Sequence, residues 1–344
     1  MTERNLSQAS TLPGYREVAQ AARRLAGKIL PTPLVSHPLL DARCGGRIFL
    51  KAETLQRTGS FKFRGATNAL LQLSDEEKKS GVVTYSSGNH GQAVAAAARA
   101  LGMKAVVFMP QDAPAIKRLS TARWGAEIRL FDRGRDDREA LARAHAAASG
   151  AALIPPFDHA DVIAGQGTAA LEIFTTCAAL GLVPTALLVP TGGGGLIAGA
   201  ALAASGAAPG CRVFAVEPEG ADDTARSLAA GKRLSNPAGG STFCDALLSP
   251  MPGALTFALN QRLLSGGLVV RDAEVRAAMA FAFEHLKLVV EPGGAVALAA
   301  LLAGTFEAQG QVVAVVLSGG NVDGAVFARA LEHAGRGETR GENS

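Results

Sequence analysis

Val189-Pro190-Thr191-Gly192-Gly193-Gly194-Gly195-Leu196 joins a short apolar run, Leu187 to Pro190, to an alanine-rich segment with helical character. Strand, glycine turn and helix in that order make half of a βαβ unit, the building block of parallel sheets. Four successive glycines let backbone N–H groups turn inward around an anion, and the helix N-terminus that follows adds a favourable potential. A plain strand-to-helix turn does not need four, so the segment points to a bound phosphate as well as to a fold. A dinucleotide reading also fits, because Gly193, Gly195 and Ala198 match GxGxxA and Glu217 closes the next strand where a ribose-binding acid could sit. A four-glycine tract matches that pattern cheaply, however, and no Gly-Lys-Ser/Thr follows to make a nucleoside-triphosphate loop.

The same alternation extends in both directions. Strands are expected at Arg47 to Glu53, Val82 to Ser86, Ala105 to Met109, Ile128 to Phe131, Leu153 to Ile154, Arg212 to Val216 and Val312 to Leu317. Helices are expected at Ser60 to Leu73, Asn89 to Leu101, Ala115 to Trp124 and Asp136 to Ala148. The pattern predicts an α/β fold of open, twisted parallel sheets. A smaller substrate-side unit over residues 79–158 would be inserted in a larger one formed by 1–78 and 159–344, with the site in the cleft between them.

Composition narrows the function. The 344 residues are 48% hydrophobic and 19% charged, with 40 glycines that punctuate apolar segments, so the chain can bury a large core. A net charge of +4, only 5% aromatic residues and no basic stretch interleaved with aromatics argue against nucleic-acid binding. Cys44, Cys177, Cys211 and Cys244 are scattered without a CxxC, which argues against a disulfide framework or a zinc site. MTERNLSQAS lacks an apolar core, and the longest apolar stretch, Gly293 to Gly304, is too short to span a bilayer. A protein of the reducing cytoplasm without a membrane partner is the expectation.

One lysine stands out. In Ser60-Phe61-Lys62-Phe63-Arg64-Gly65-Ala66 it lies between two aromatics at the start of a helical run. A lysine amine is a nucleophile only when deprotonated, and an apolar, desolvated setting lowers its pKa. Two further loops, Ser86-Ser87-Gly88-Asn89-His90-Gly91-Gln92 and Leu317-Ser318-Gly319-Gly320-Asn321, repeat the strand–turn–helix form. Each suits an anion such as a carboxylate, and each also reads as an ordinary helix-capping loop.

Together the blocks Ser60 to Ala66, Ser86 to Gln92, Ile163-Ala164-Gly165-Gln166-Gly167-Thr168, Gly192 to Gly195, Glu291-Pro292-Gly293-Gly294 and Ser318 to Asn321 resemble the pyridoxal-phosphate enzymes of the tryptophan synthase β-subunit fold, and within them the threonine/serine ammonia-lyase and serine racemase group. The resemblance spans about residues 20 to 335. It implies that Lys62 holds pyridoxal 5'-phosphate as a Schiff base and then acts at Cα, that Phe61 packs near the cofactor ring, and that Gly192, Gly193, Gly194 and Gly195 bind the phosphate. Asn89 would contact the ring hydroxyl, Glu291 would join the cofactor contacts, and Ser318 would face the pyridine nitrogen. A neutral hydroxyl there makes the ring a weaker electron sink than an aspartate would. Ser86, Asn89 and the loop amides would take the substrate carboxylate, with His90 and Ser87 also against the substrate and Ser87 placed as the base on the opposite face of Cα in serine racemases. The implied reaction is α,β-elimination, turning threonine into 2-oxobutanoate or serine into pyruvate, with ammonia.

Other features pull within the group. Glu217-Pro218-Glu219-Gly220-Ala221-Asp222-Asp223 is similar to the divalent-metal segment of serine racemase-like members, with Glu217, the Ala221 carbonyl and Asp223 as ligands for Mg²⁺, or Ca²⁺ or Mn²⁺. The same residues also read as a solvated acidic turn that caps a helix. Ser87 stands where many threonine ammonia-lyases have alanine, and a hydroxyl there allows racemisation without requiring it. Arg138, with Ser249 lining the same pocket, lies where 3-hydroxyaspartate dehydratases and serine racemases place a residue near a second substrate carboxylate; an exposed helix arginine is the alternative. The group often has Asp-Gly where this chain has Asp245-Ala246, which puts the cofactor packing there in question. A homodimer is expected. The chain ends soon after the last motif, so the C-terminal regulatory domain of biosynthetic threonine deaminases, and isoleucine feedback with it, are not expected.

Overall fold

The computed structural model describes residues 12–338 apart from 87, 114, 238 and 239. Strands β7 (Ala186–Pro190) and β10 (Val312–Leu317) are apolar end to end, the pattern of strands covered on both faces, and β2 (Arg47–Ala52) is buried from Ile48 onward despite its Lys51. They form the centre of a six-stranded sheet with β1 (Leu34–Val35), β8 (Arg212–Pro218) and β9 (Gly266–Val270), in the order β1-β2-β10-β7-β8-β9. A second, four-stranded sheet has the order β5-β4-β3-β6, from β3 (Val82–Tyr85), β4 (Ala105–Pro110), β5 (Glu127–Phe131) and β6 (Ala152–Leu153). Every pairing is parallel except β1 with β2, so the larger sheet carries an antiparallel edge that sequence alternation did not foresee. A two-residue strand is too short to show a period, and β9, with two glycines at its start, escaped notice for a similar reason.

Fourteen helices surround the sheets: α1 (Tyr15–Leu25), α2 (Pro38–Cys44), α3 (Lys62–Leu71), α4 (Asp75–Ser80), α5 (Asn89–Ala100), α6 (Ala115–Arg123), α7 (Arg138–Ser149), α8 (Ala160–Ala179), α9 (Gly195–Ala207), α10 (Asp223–Ala230), α11 (Ala254–Leu263), α12 (Asp272–Glu284), α13 (Pro292–Leu302) and α14 (Gly324–Glu338), counted among the described residues. Side-chain alternation assigns them to layers. Val313, Val315 and Leu317 of β10 join a core with α12 and α13, while Ala314 and Val316 face α8 and α9. Around the smaller sheet, Val82, Val107 and Met109 meet α3 and α5 on one face, and Val83, Tyr85 and Phe108 meet Ala142 of α7 on the other. No helix among the described residues is long and apolar enough to cross a membrane.

Helix α3 carries Lys62 at its first position and is pinned in two ways. A Cβ on Gly165 of α8 would lie 2.7 Å from the Gly65 Cα, so only glycine permits this crossing. Beneath it, the fully buried Arg64 donates to both oxygens of Glu53 at 2.8 Å and to Glu172 at 2.6 and 2.8 Å. Lys51 completes the network, donating to Glu172 and to the Thr32 carbonyl, each at 2.5 Å. Two cations thus meet two carboxylates, and the charged form of Arg64 is stabilised despite burial. Removing one partner of a buried pair leaves an uncompensated charge, which costs about 3–5 kcal/mol. Arg64→Ala is expected to lose that much in urea denaturation; a loss under about 1 kcal/mol, the level of a surface pair, would contradict this account.

Candidate functional site

The loops that follow the carboxyl ends of β2, β3, β7 and β10 converge on one cleft, where open α/β sheets place their ligands. Backbone bonds stitch two of them together. The Phe61 N–H donates to the Ser318 carbonyl at 3.1 Å, Ser60 bridges Gly319, and the Gly320 N–H donates to the Gly59 carbonyl at 2.9 Å. Glu291, the residue before α13, adds its N–H to the Gly319 carbonyl at 2.9 Å. The third loop joins through side chains: Asn89 Nδ2 donates to Glu291 Oε1 at 2.6 Å, and Asn321 Nδ2 donates to Asn89 Oδ1 at 2.9 Å. The lysine segment is thereby placed by the loop that holds Ser318.

Lys62 Nζ donates to the Pro156 carbonyl at 2.7 Å and lies 5.1 Å from the centroid of the Phe61 ring. Burial lowers its pKa to about 8, against a smaller opposing pull from Glu291. Burial raises the Glu291 carboxyl to about 7, and its Oε2 has no hydrogen-bond partner among the described residues. His90 is buried with Nε2 3.0 Å from the Ile154 carbonyl; desolvation first, then the Lys62 charge, lowers its pKa to about 3, so the ring is neutral and Nε2 carries the proton.

The glycine turn is a cradle with no spare room. Gly194 has φ 90°, a left-handed conformation at the start of α9. A Cβ on Gly193 or Gly195 would run into Phe157, and one on Gly194 would lie 2.8 Å from Asn260 Nδ2. Thr256 Oγ1 donates to the Gly193 carbonyl at 2.8 Å and fixes the turn from outside.

Phe61, Lys62, Ser86, Asn89, His90, Arg138, Gly192, Gly193, Gly194, Gly195, Ser249, Glu291 and Ser318 all line this one cleft. Ser87 lies outside the described residues. Arg138 opens α7, stacks its guanidinium 5.7 Å from the Tyr85 ring centroid, and has no carboxylate partner among the described residues. It is not the freely exposed helix arginine of the alternative reading. Lys117, Tyr85, Pro156 and Phe157 also line the cleft and were missed, because no local residue pattern marks their side chains as site residues; Asp245, which the sequence showed only as half of an unusual Asp-Ala pair, lines it too.

Glu217, Ala221 and Asp223 lie away from the cleft lining, at the carboxyl end of β8 and the start of α10. Both acids are fully buried, so the turn is not the solvated one that sequence allowed. Glu217 does cap α10, accepting from the N–H groups of Thr224 at 2.9 Å and Ala225 at 2.7 Å. Burial, then the neighbouring Asp223 charge, raises Glu217 to about 8, and burial raises Asp223 to about 6. Asp223 Oδ1 accepts from Asn236 at 2.7 Å, while its Oδ2 has no partner among the described residues. Among the described residues no group of three or more His, Cys, Asp or Glu is placed to hold a metal, so this pair stands as two carboxylates.

The sequence pattern of the family described as "Pyridoxal-phosphate dependent enzyme" matches residues 25–319. The chain is 43% identical over 314 residues to L-threo-3-hydroxyaspartate ammonia-lyase of Saccharomyces cerevisiae, covering 91% of this chain and 94% of that one. It is 38% identical over 328 residues to serine racemase of Schizosaccharomyces pombe, covering 95% and 99%. The crystal structure of a threonine deaminase from T.th. superposes with a TM-score of 0.84 at 44% identity, covering 90% of this chain and 99% of that one. The chain belongs to the pyridoxal-phosphate dependent enzyme family, which sets the dinucleotide reading of the glycine turn aside. The residues present fit pyridoxal 5'-phosphate: an amine with lowered pKa shares one cleft with a glycine turn whose surroundings leave no room for side chains.

Because Lys62 titrates near 8, the rate at which cofactor-free protein captures pyridoxal phosphate should climb about tenfold per pH unit below that value and level above it. Stopped-flow absorbance would follow it; a rate still climbing toward pH 10.5 would mean that the amine is solvated.

Proposed function

We propose that this protein is a pyridoxal 5'-phosphate-dependent ammonia-lyase whose preferred substrate is a 3-hydroxyaspartate, converted to oxaloacetate and ammonia. The sequence alone put threonine and serine first. Arg138 changes that order: a guanidinium in the cleft that carries Lys62, held against Tyr85 and without a carboxylate partner among the described residues, suits a second substrate carboxylate. The 43% identical yeast relative supports the same substrate.

The cofactor, when bound, supplies the electron sink that makes a Cα–H acidic and a β-substituent expellable. The chain supplies the rest. Gly192 to Gly195 cradle the phosphate at the N-terminus of α9. The unprotonated amine of Lys62 takes the proton from Cα. The turn at 86–90 takes the α-carboxylate and Arg138 the distal one, which fixes the Cα–H bond relative to the amine. The hydroxyl leaves as water, and hydrolysis of the released enamine consumes one water, so the substrate yields one oxo acid and one ammonia. Threonine and serine are the second reading, favoured by the 44% identical threonine deaminase. Arg138→Met separates the two. On the first reading it lowers kcat/KM for L-threo-3-hydroxyaspartate by about 30-fold or more and changes that for L-serine by less than about threefold. Equal losses on both substrates would favour the second.

We also propose that Glu217, Asp223 and the Ala221 carbonyl hold Mg²⁺, or Ca²⁺ or Mn²⁺, supported by the buried Asp223 Oδ2, partnerless among the described residues, beside a second carboxylate. A cation that binds only the folded state raises the melting temperature. Calorimetry should show Mg²⁺ raising it in the wild type and not in Asp223→Asn; an equal rise in both would remove the site from these residues.

A further inference from the structure

Lys117 has no task in the elimination as described. It lies in α6, beside the four-stranded sheet, and its amine forms an ion pair across the cleft with Asp245, in the 245–247 turn beside the six-stranded sheet. The pair is unequal: the lysine side chain is 9% exposed and the aspartate side chain 48%. A buried cation must keep an anion beside it, whereas a half-exposed carboxylate returns to water at little cost. The aspartate is therefore the member that another anion can replace.

The position of the amine identifies that anion. A Cβ on Gly88 would sit 3.2 Å from Lys117 Cδ and 3.5 Å from Nζ, so the amine stands directly against the turn that opens α5. In that turn the Gly88 N–H is held by Ser86 Oγ at 3.1 Å, and Asn89 is held by Glu291 and Asn321. Lys117, Asp245, Ser86, Gly88 and Asn89 all line the cleft that contains Lys62. We infer that Lys117 is a contact for the α-carboxylate of the substrate, kept paired by Asp245 until an amino acid binds and exchanges it for its own carboxylate. The inference rests on the assignment of the 86–90 turn to that carboxylate and is independent of which β-hydroxy amino acid is preferred.

The test uses the cofactor-loaded enzyme with L-serine and L-threo-3-hydroxyaspartate, which share the α-carboxylate. Lys117→Met is expected to raise KM for both by about 10- to 100-fold, with a smaller change in kcat, and Lys117→Arg to recover part of the loss. Asp245→Asn, which frees the amine without removing it, is expected to lower KM for both. An unchanged KM in Lys117→Met would overturn the inference. So would a rise in KM in Asp245→Asn, because a merely structural clasp loses the same function from either side. A rise confined to 3-hydroxyaspartate would place the amine on the distal carboxylate, sinking this inference while leaving the proposed reaction intact. Absence of 3-hydroxyaspartate turnover in the wild type would fail the proposed substrate instead, and serine alone would then decide the role of Lys117. If Lys117→Met does not fold, as judged by circular dichroism, the sign of the change in Asp245→Asn decides.

Discussion

The structure depends on holding one amine out of water yet facing open space. Lys62 meets that demand because it starts a helix instead of sitting within one. Its backbone belongs to the first turn of α3, where the macrodipole also disfavours a positive charge. Burial alone would let the side chain relax toward solvent. The Pro156 carbonyl in front and the Phe61 ring beside it give the amine a fixed place.

What fixes Lys62 is the packing behind it. Arg64, two residues on, is clamped between Glu53, which follows β2, and Glu172 of α8. The helix therefore cannot slide without breaking a buried pair of charges. In front, the segment from Gly59 to Phe61 pairs with Ser318 to Gly320, so the lysine and the serine opposite it share one backbone frame. The Asn321–Asn89–Glu291 chain extends that frame to the 86–90 turn. The two bonds of that chain link residues 202 and 232 positions apart and join loops from both sheets around the cleft that Lys62 lines.

Much of this was legible beforehand because several constraints are local. A strand covered on both faces is largely apolar, a turn with no room for a Cβ is glycine, and an alanine-rich run after it is helical; Val312–Leu317, Gly192 to Gly195 and α9 follow from those rules. The Ile163 to Thr168 block was recognised as a motif, but its reason appears only in three dimensions, where Gly165 meets Gly65 across two helices. Arg64 gave no signal as a buried charge, because its partners are 11 and 108 residues away. Lys117 was silent for the same reason, and Asp245 showed only as half of an unusual Asp-Ala pair, its partner being 128 residues away. The edge strand β1, with only two residues, was below what periodicity can detect. For the acidic segment 217–223, residue types left a metal site and a solvated turn both open, and only burial could remove the solvated turn.

The most direct test of the central claim is to locate the lysine that carries the cofactor. Cofactor-loaded protein would be reduced with borohydride, digested, and the pyridoxyl group mapped by mass spectrometry. The account predicts one modified site, Lys62, with Lys51 and Lys117 unmodified because each amine is held by a carboxylate. A pyridoxyl group on Lys117 or Lys51 in place of Lys62, or no modification in protein shown to have bound the cofactor, would contradict it.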